Sequence, residues 1–228
     1  MKDPSKILYI VQARLNSERC PNKMLRPFGG TTLFELCLDK VLASDIPNEQ
    51  FRASVHEKRL RDIVDQRGLY VYNRSYESAN EDDDLKLIYE WWDQFPDYEY
   101  AVIINACNLF LEVDTINQFV DTYIQSRHDG LFGVIPKKQY YWNSQGDLIT
   151  PWPKGHTIMN TKAVGETLEA AHCLYAGRLD LIGENAWMGK PPYRRNSPAL
   201  FEVSEFEALD IDWSWQFDLY TSYWETLN

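Results

Sequence analysis

The sequence predicts an α/β fold, a mostly parallel sheet with helices on both faces, from three observations. Short continuous apolar runs such as Ile7-Leu8-Tyr9-Ile10-Val11 and Tyr100 to Ile104 lack period-two alternation, as strands buried on both faces do. Segments with helical spacing separate these runs. The 228 residues, 44 % hydrophobic and 25 % charged, suffice for one domain spanning 1–228 with its own core.

In chain order, Lys6 to Gln12 is a buried strand and Ala13 to Gly30 a polar loop. Thr31 or Thr32 caps a helix over Leu33 to Leu42, where Leu33, Leu36, Cys37 and Val41 share a face. Arg52 to Val55 is a strand, Glu57 to Arg67 a helix stopped by Gly68, and Leu69 to Tyr72 another strand. After the polar loop Asn73 to Glu81, Asp82, Asp83 and Asp84 suit a helix N-terminus, and that helix runs to Phe95 before Pro96. Val113 to Ser126 is helical and Gly130 to Ile135 a strand. Tyr140 to Ile149 forms a hairpin turning at Ser144-Gln145-Gly146-Asp147. His156 precedes the strand-like Thr157 to Asn160, and Lys162 to Tyr175 is helical. Leu200 to Val203 and Ala208 to Ile211 are short strands, and Trp213 to Thr226 is the last helix. Ligands of such sheets sit outside the carboxyl ends of the strands.

Charge and composition narrow the function. A net charge of −11 repels phosphate backbones, so nucleic acid is not an expected partner. No apolar run approaches the roughly 20 residues of a membrane helix, and the start lacks a signal peptide, so the expected location is the cytoplasm. Cys20, Cys37, Cys107 and Cys173 form no C-x-x-C pair, which leaves zinc and redox motifs unsupported.

Two segments carry chemistry. At the end of the first strand, Arg14, Arg19 and Lys23 gather within ten residues of an acidic chain. Arginine forks and a lysine point charge suit phosphate oxygens, and Ser17 with loop N–H groups adds an anion nest. A solvated loop with scattered charges fits the same spacing. Near the end, Asp210 and Asp212 fall on one face of a strand, where a cation such as Mg²⁺ would relieve their repulsion. Asp212 as a simple cap for the helix at Trp213 fits as well.

Together these segments resemble the signatures of the sugar-acid cytidylyltransferases, the family that includes acylneuraminate and Kdo cytidylyltransferases. Ala13, Arg14, Ser17 and Lys23 match its A-R-x-G-S pattern and following lysine, and Arg19 to Leu25 is similar to the R-L-P-G-K-x-L form of the Kdo-type branch. Glu202, Val203, Glu207, Ala208, Asp210, Ile211, Asp212 and Phe217 fit E-V-x-x-x-E-A-x-D-I-D-x-x-x-D-F, with Gln216 at the last acidic position. Asn16 and Asn22 stand where the family has glycine, and asparagine is the side chain that best tolerates left-handed backbone. Glu18 stands where acylneuraminate enzymes often carry lysine. In the middle, Asn105 takes the place of a glutamine whose amide reads the base or sugar. Cys107 takes the place of the Kdo branch's metal-binding aspartate, and a proline and an arginine are replaced by Leu109 and Leu111.

The resemblance implies a Rossmann-like sheet of the nucleotide-diphospho-sugar transferase type, with the hairpin as a small dimerisation excursion. It implies a homodimer in which a hydroxyl of a sialic-acid-like or Kdo-like sugar attacks the α-phosphorus of CTP and pyrophosphate leaves. Ala13, Arg14, Asn16, Ser17, Arg19, Lys23 and Asn105 would bind the nucleotide, with Arg14 and Lys23 neutralising the shifting charge. Asp210 and Asp212 would hold Mg²⁺. Arg74 to Asn80 lies where the family's substrate-side loop passes, although an ordinary polar loop also fits. Arg194 or Arg195, in the basic loop Lys190 to Arg195, would reach a neighbour's sugar carboxylate. Two alternatives stand beside this reading. One is a glycosyltransferase using a sugar nucleotide, although its D-x-D motif normally sits mid-chain. The other is a nucleotide-binding relative without turnover, to which Glu18, Cys107 and Leu111 point.

Overall fold

The computed structural model describes residues 1–187 and 198–227, so the basic loop with Arg194 and Arg195 lies outside the described residues. Seven strands form one sheet: β1 (Ile7–Ala13), β2 (Phe51–Val55), β3 (Val71–Asn73), β4 (Tyr100–Asn105), β5 (Leu131–Lys137), β6 (Thr167–Arg178) and β7 (Ala199–Glu202). Their order is β3-β2-β1-β4-β6-β5-β7. All neighbours run parallel except β6, which is antiparallel to β4 and to β5. β1 is buried on both faces, with Ile7, Tyr9 and Val11 in the larger core and Leu8 and Ile10 in the smaller. That double burial is why its sequence does not alternate.

The larger core takes side chains from α1 (Leu33–Ala43), α2 (Lys58–Gln66), α5 (Val113–Gln125) and α7 (Ser214–Glu225). Thr32 caps α1 by accepting from Glu35 N at 3.3 Å. The smaller core is roofed by short pieces: α4 (Leu85–Ile88), a 3₁₀ turn at Glu90–Asp93 and α6 (Leu179–Gly183), following the single turn α3 (Tyr76–Ala79). Trp91 fills its centre with no exposure.

Four expectations are corrected. The chain from Lys162 to Tyr175 is not helical, because Thr167–Arg178 is the longest strand and pairs on both edges. Leu168, Glu169 and Ala170 favour helix locally, but Cys173, Leu174 and Ala176 bury themselves only as part of the sheet, and burial wins. β6 also bulges: Phe132 pairs with Tyr175 but Val134 with Ala170, and His172 takes φ +52°. Gly133 lies opposite, where a Cβ would come within 3.3 Å of Cys173 Sγ and the Leu174 carbonyl. Secondly, the single helix from Asp82 to Phe95 is two short pieces, with Asp84 capping the first through Lys86 N at 3.0 Å. Thirdly, Ala208 to Ile211 makes one bridge, Asp210 to Asn108, rather than a strand. Fourthly, Thr157 to Asn160 forms no strand. The hairpin is present as a Trp142–Leu148 bridge with Gly146 at φ +90°.

Candidate active site

A cleft of about 750 Å³ opens at the carboxyl ends of β1 and β4. Ala13, Arg14, Asn16, Ser17, Arg19, Lys23, Asn105 and Asp212 all line it. Among the described nucleotide and metal candidates, Asp210 alone does not line the cleft and lies behind it, beside Lys23 and Cys107. The two ends of the chain therefore meet in one place.

The loop after β1 is folded by its own polar groups. Leu15 N donates to Glu57 Oε1 at 2.8 Å, and Cys20 N donates to Ser17 Oγ at 3.3 Å. Cys20 and Met24 anchor the loop in the larger core. Asn22 adopts φ +55°, the left-handed turn expected of a glycine substitute, whereas Asn16 does not need one. This geometry carries Lys23 inward until it is 8 % exposed. Its ammonium donates to the Ile211 carbonyl at 2.5 Å and lies 3.6 Å from Asp212 Oδ1. Arg19 pairs with the same Asp212 oxygen at 2.7 Å. Gln216 Oε1 accepts from both Asp212 N and Trp213 N at 2.8 Å, which fixes the backbone that presents Asp212.

Burial works against the charge on Lys23, but the surrounding acidic groups outweigh it and its pKa rises above 10.5. Cys107 is the largest of these contributions, yet burial pushes its own pKa up to about 12, so at neutral pH it is a thiol. The aspartates are then what hold the ammonium. Asp210 is shifted upward by burial, with Lys23 opposing, and its Oδ1 is buried without a hydrogen-bond partner. An orphaned carboxylate oxygen beside a cleft suits a hard cation that keeps phosphate oxygens for its remaining positions. Among the described residues no group of three or more His, Cys, Asp or Glu is arranged to hold a metal.

Asn105 is placed at the cleft but is largely committed elsewhere. Its amide donates to the His172 carbonyl at 2.7 Å and accepts from Cys107 N at 3.0 Å. It secures the β6 bulge to the turn after β4. Lys40 supports that turn from beneath, donating to the Leu109 carbonyl at 2.7 Å, and burial pushes its pKa down to about 8. A folded value below the unfolded 10.5 means that the unfolded chain holds the proton longer. Lys40 should thus favour folding increasingly between pH 8 and 10.5, by up to about 3 kcal/mol. Denaturant melts at pH 7 and pH 10 should show wild type gaining on Lys40→Met across that window; a pH-independent difference would refute the assignment.

Arg74 turns out to face the cleft rather than belong to an ordinary loop. It is 6 % exposed and donates to Ser78 Oγ at 2.9 Å and to the Ser78 carbonyl at 2.6 Å. Burial and then the neighbouring Arg14 bring its pKa down to about 10, and both guanidinium-bearing residues line the cleft. Like charges held together favour an anion between them. Its position at the carboxyl end of a strand was the available signal. Tyr89 and Tyr175 also line the cleft, and Tyr175 was hidden by the mistaken helix.

Fold and site together define a nucleotide-handling α/β class: a cation-lined cleft of nucleotide size at the strand ends, with carboxylates at one wall. The chain belongs to the cytidylyltransferase family, whose model matches residues 8–210. Similar folds include CMP:2-keto-3-deoxy-manno-octonic acid synthetase complexed with CTP, at TM-score 0.70 and 13 % identity over 98 % of this chain and 100 % of that one. A second is 4-diphosphocytidyl-2C-methyl-D-erythritol synthase from Anaerococcus prevotii, at 0.67 and 12 % over 97 % of each chain. A third is a cytidylyltransferase from Leptospira borgpetersenii, at 0.54 and 17 % over 88 % of this chain and 76 % of that one. No curated protein matches the sequence. The chain is thus a nucleotidyltransferase of the cytidylyltransferase type. No helix among the described residues is long and apolar enough to cross a membrane.

Proposed function

We propose that this single-domain chain transfers CMP from CTP to a hydroxyl of an acidic sugar, either a nonulosonic or an octulosonic acid, and releases pyrophosphate. The observation that carries this reading is the meeting of the cationic turn with the aspartate segment, through Arg19–Asp212 at 2.7 Å and the buried Lys23 between them. The acidic sugar is favoured by the sequence signatures and by the resemblance to a synthetase acting on 2-keto-3-deoxy-manno-octonic acid.

In the reaction the hydroxyl oxygen bonds to the α-phosphorus as the bond from that phosphorus to the β-phosphate oxygen breaks, and the hydroxyl proton passes to water. Negative charge moves onto the leaving pyrophosphate, where Arg14 and Lys23 neutralise it. The cleft supplies position and charge rather than a protein nucleophile. Asp210 and Asp212 would hold Mg²⁺, which when bound supplies Lewis-acid neutralisation of phosphate oxygens. Asn16, Ser17 and Arg19 complete the phosphate side, and Ala13 lets the backbone approach. Asn105 shapes the floor and keeps one amide hydrogen for ligand.

A homodimer in the cytoplasm is part of the same reading. The segment after β5 exposes Trp142, Ile149, Trp152, Ile158 and Met159, an apolar set that a second copy would cover. The deciding experiment is pyrophosphate release from CTP and Mg²⁺ with a panel of nonulosonic and octulosonic acids. Release with one acid is the expected result. Protection of the fold by UDP-sugars but not by CTP would overturn the reading in favour of a glycosyltransferase.

A further inference from the structure

In the free protein the outer cations of the first loop already have partners. Arg14 donates to the Ala79 carbonyl and to Asp82 Oδ1, each at 3.0 Å. Asn16 bonds to Asn80 beside them. The turn from Ala79 to Asp82 is therefore tied to the phosphate loop at the cleft. It is not a slack segment, because Glu81 Oε1 accepts from the backbone N–H groups of Asp82, Asp83 and Asp84 at 3.0, 2.8 and 3.1 Å. That clasp fixes the shape of the turn and aims Asp82 at Arg14.

A carboxylate in this position is costly for a cleft that takes polyphosphate, since it adds negative charge where the ligand brings its own. Arg74 lines the same cleft as Arg14, so without a nearby anion like charge accumulates there. We propose that Asp82 stands in for a ligand phosphate in the free protein and thereby sets nucleotide affinity, because an entering phosphate must take Arg14 from it. The freed carboxylate opposes a triphosphate more than a monophosphate, so Asp82 holds down affinity for CTP more than for CMP. The inference rests on the reading that nucleotide phosphates meet Arg14. The pair is partly solvated, with Arg14 35 % and Asp82 76 % exposed, so the effect is modest and salt-sensitive.

The test is calorimetric titration of CTP and of CMP, in EDTA and low salt, into wild type, Asp82→Asn and Asp83→Asn. Asp83 carries the same charge on the same turn but does not contact Arg14, so it controls for general field effects. Asp82→Asn should bind CTP about two- to five-fold tighter, the size an exposed ion pair supports. The gain should exceed that of Asp83→Asn and vanish in about 0.5 M salt. CMP should gain less than CTP, so the ratio of CMP to CTP dissociation constants should widen. Equal or weaker CTP binding by Asp82→Asn, or an equal gain in Asp83→Asn, overturns the proposal and leaves the nucleotide reading standing. Failure of every form to bind CTP removes that reading, and this inference with it.

Discussion

Replacing Lys23 with methionine is expected to weaken CTP binding about 100-fold and to abolish pyrophosphate release. Methionine preserves most of the buried stem, so the space that Lys23 fills stays largely filled. What disappears is the ammonium that donates to the Ile211 carbonyl and faces Asp210 and Asp212. A hydrogen bond to a charged group contributes about 1.5–3 kcal/mol, and here one cation serves both protein and ligand. Its loss leaves two carboxylates with only Arg19 between them and the incoming phosphates. Like charges then repel CTP from the place where it should dock. Lys23→Arg should restore charge without restoring turnover, since a planar fork does not fit a buried point-charge seat. A calorimetric titration that puts Lys23→Met within threefold of wild type would refute the assignment. A thermal melt on the same sample separates lost binding from lost folding.

The first loop was legible because its cations stand out against an acidic chain and sit at the end of an unmistakable strand. Asn22 was legible for the same local reason, as the side chain that best substitutes for glycine at φ +55°. β6 was not legible. Its first half, Leu168 to Ala171, favours helix, and only the pairing with β4 and β5 reveals that the segment closes the sheet. That single error concealed Tyr175 on the cleft wall and the bulge at His172 that Asn105 secures. Asp210 shows a subtler limit. The alternation rule placed it with Asp212 on a strand face, but one bridge to Asn108 is too little ladder to impose that period. Both aspartates converge on Lys23 nonetheless, Asp212 from the cleft and Asp210 from behind it. Arg74 was underestimated because a polar loop after a short strand is common, and its burial depends on Ser78 folding back over it.

Asp210→Asn separates the electrostatic and the metal roles of that residue. The substitution keeps shape and removes one buried negative charge whose Oδ1 has no hydrogen-bond partner. In EDTA the variant should bind CTP at least as tightly as wild type, because a carboxylate near the triphosphate has been neutralised. In Mg²⁺ the order should reverse, since the variant offers one carboxylate where the ion takes two. Pyrophosphate release should fall by about 10²- to 10³-fold, the range for removing one preorganised electrostatic group. If Asp210 were only a counter-ion for Lys23, Mg²⁺ would raise CTP affinity equally in both forms, and the loss of turnover would accompany weaker binding in EDTA. The sign of the affinity change with and without the ion therefore decides whether the orphaned oxygen behind the cleft is a ligand in waiting or a partner of the lysine alone.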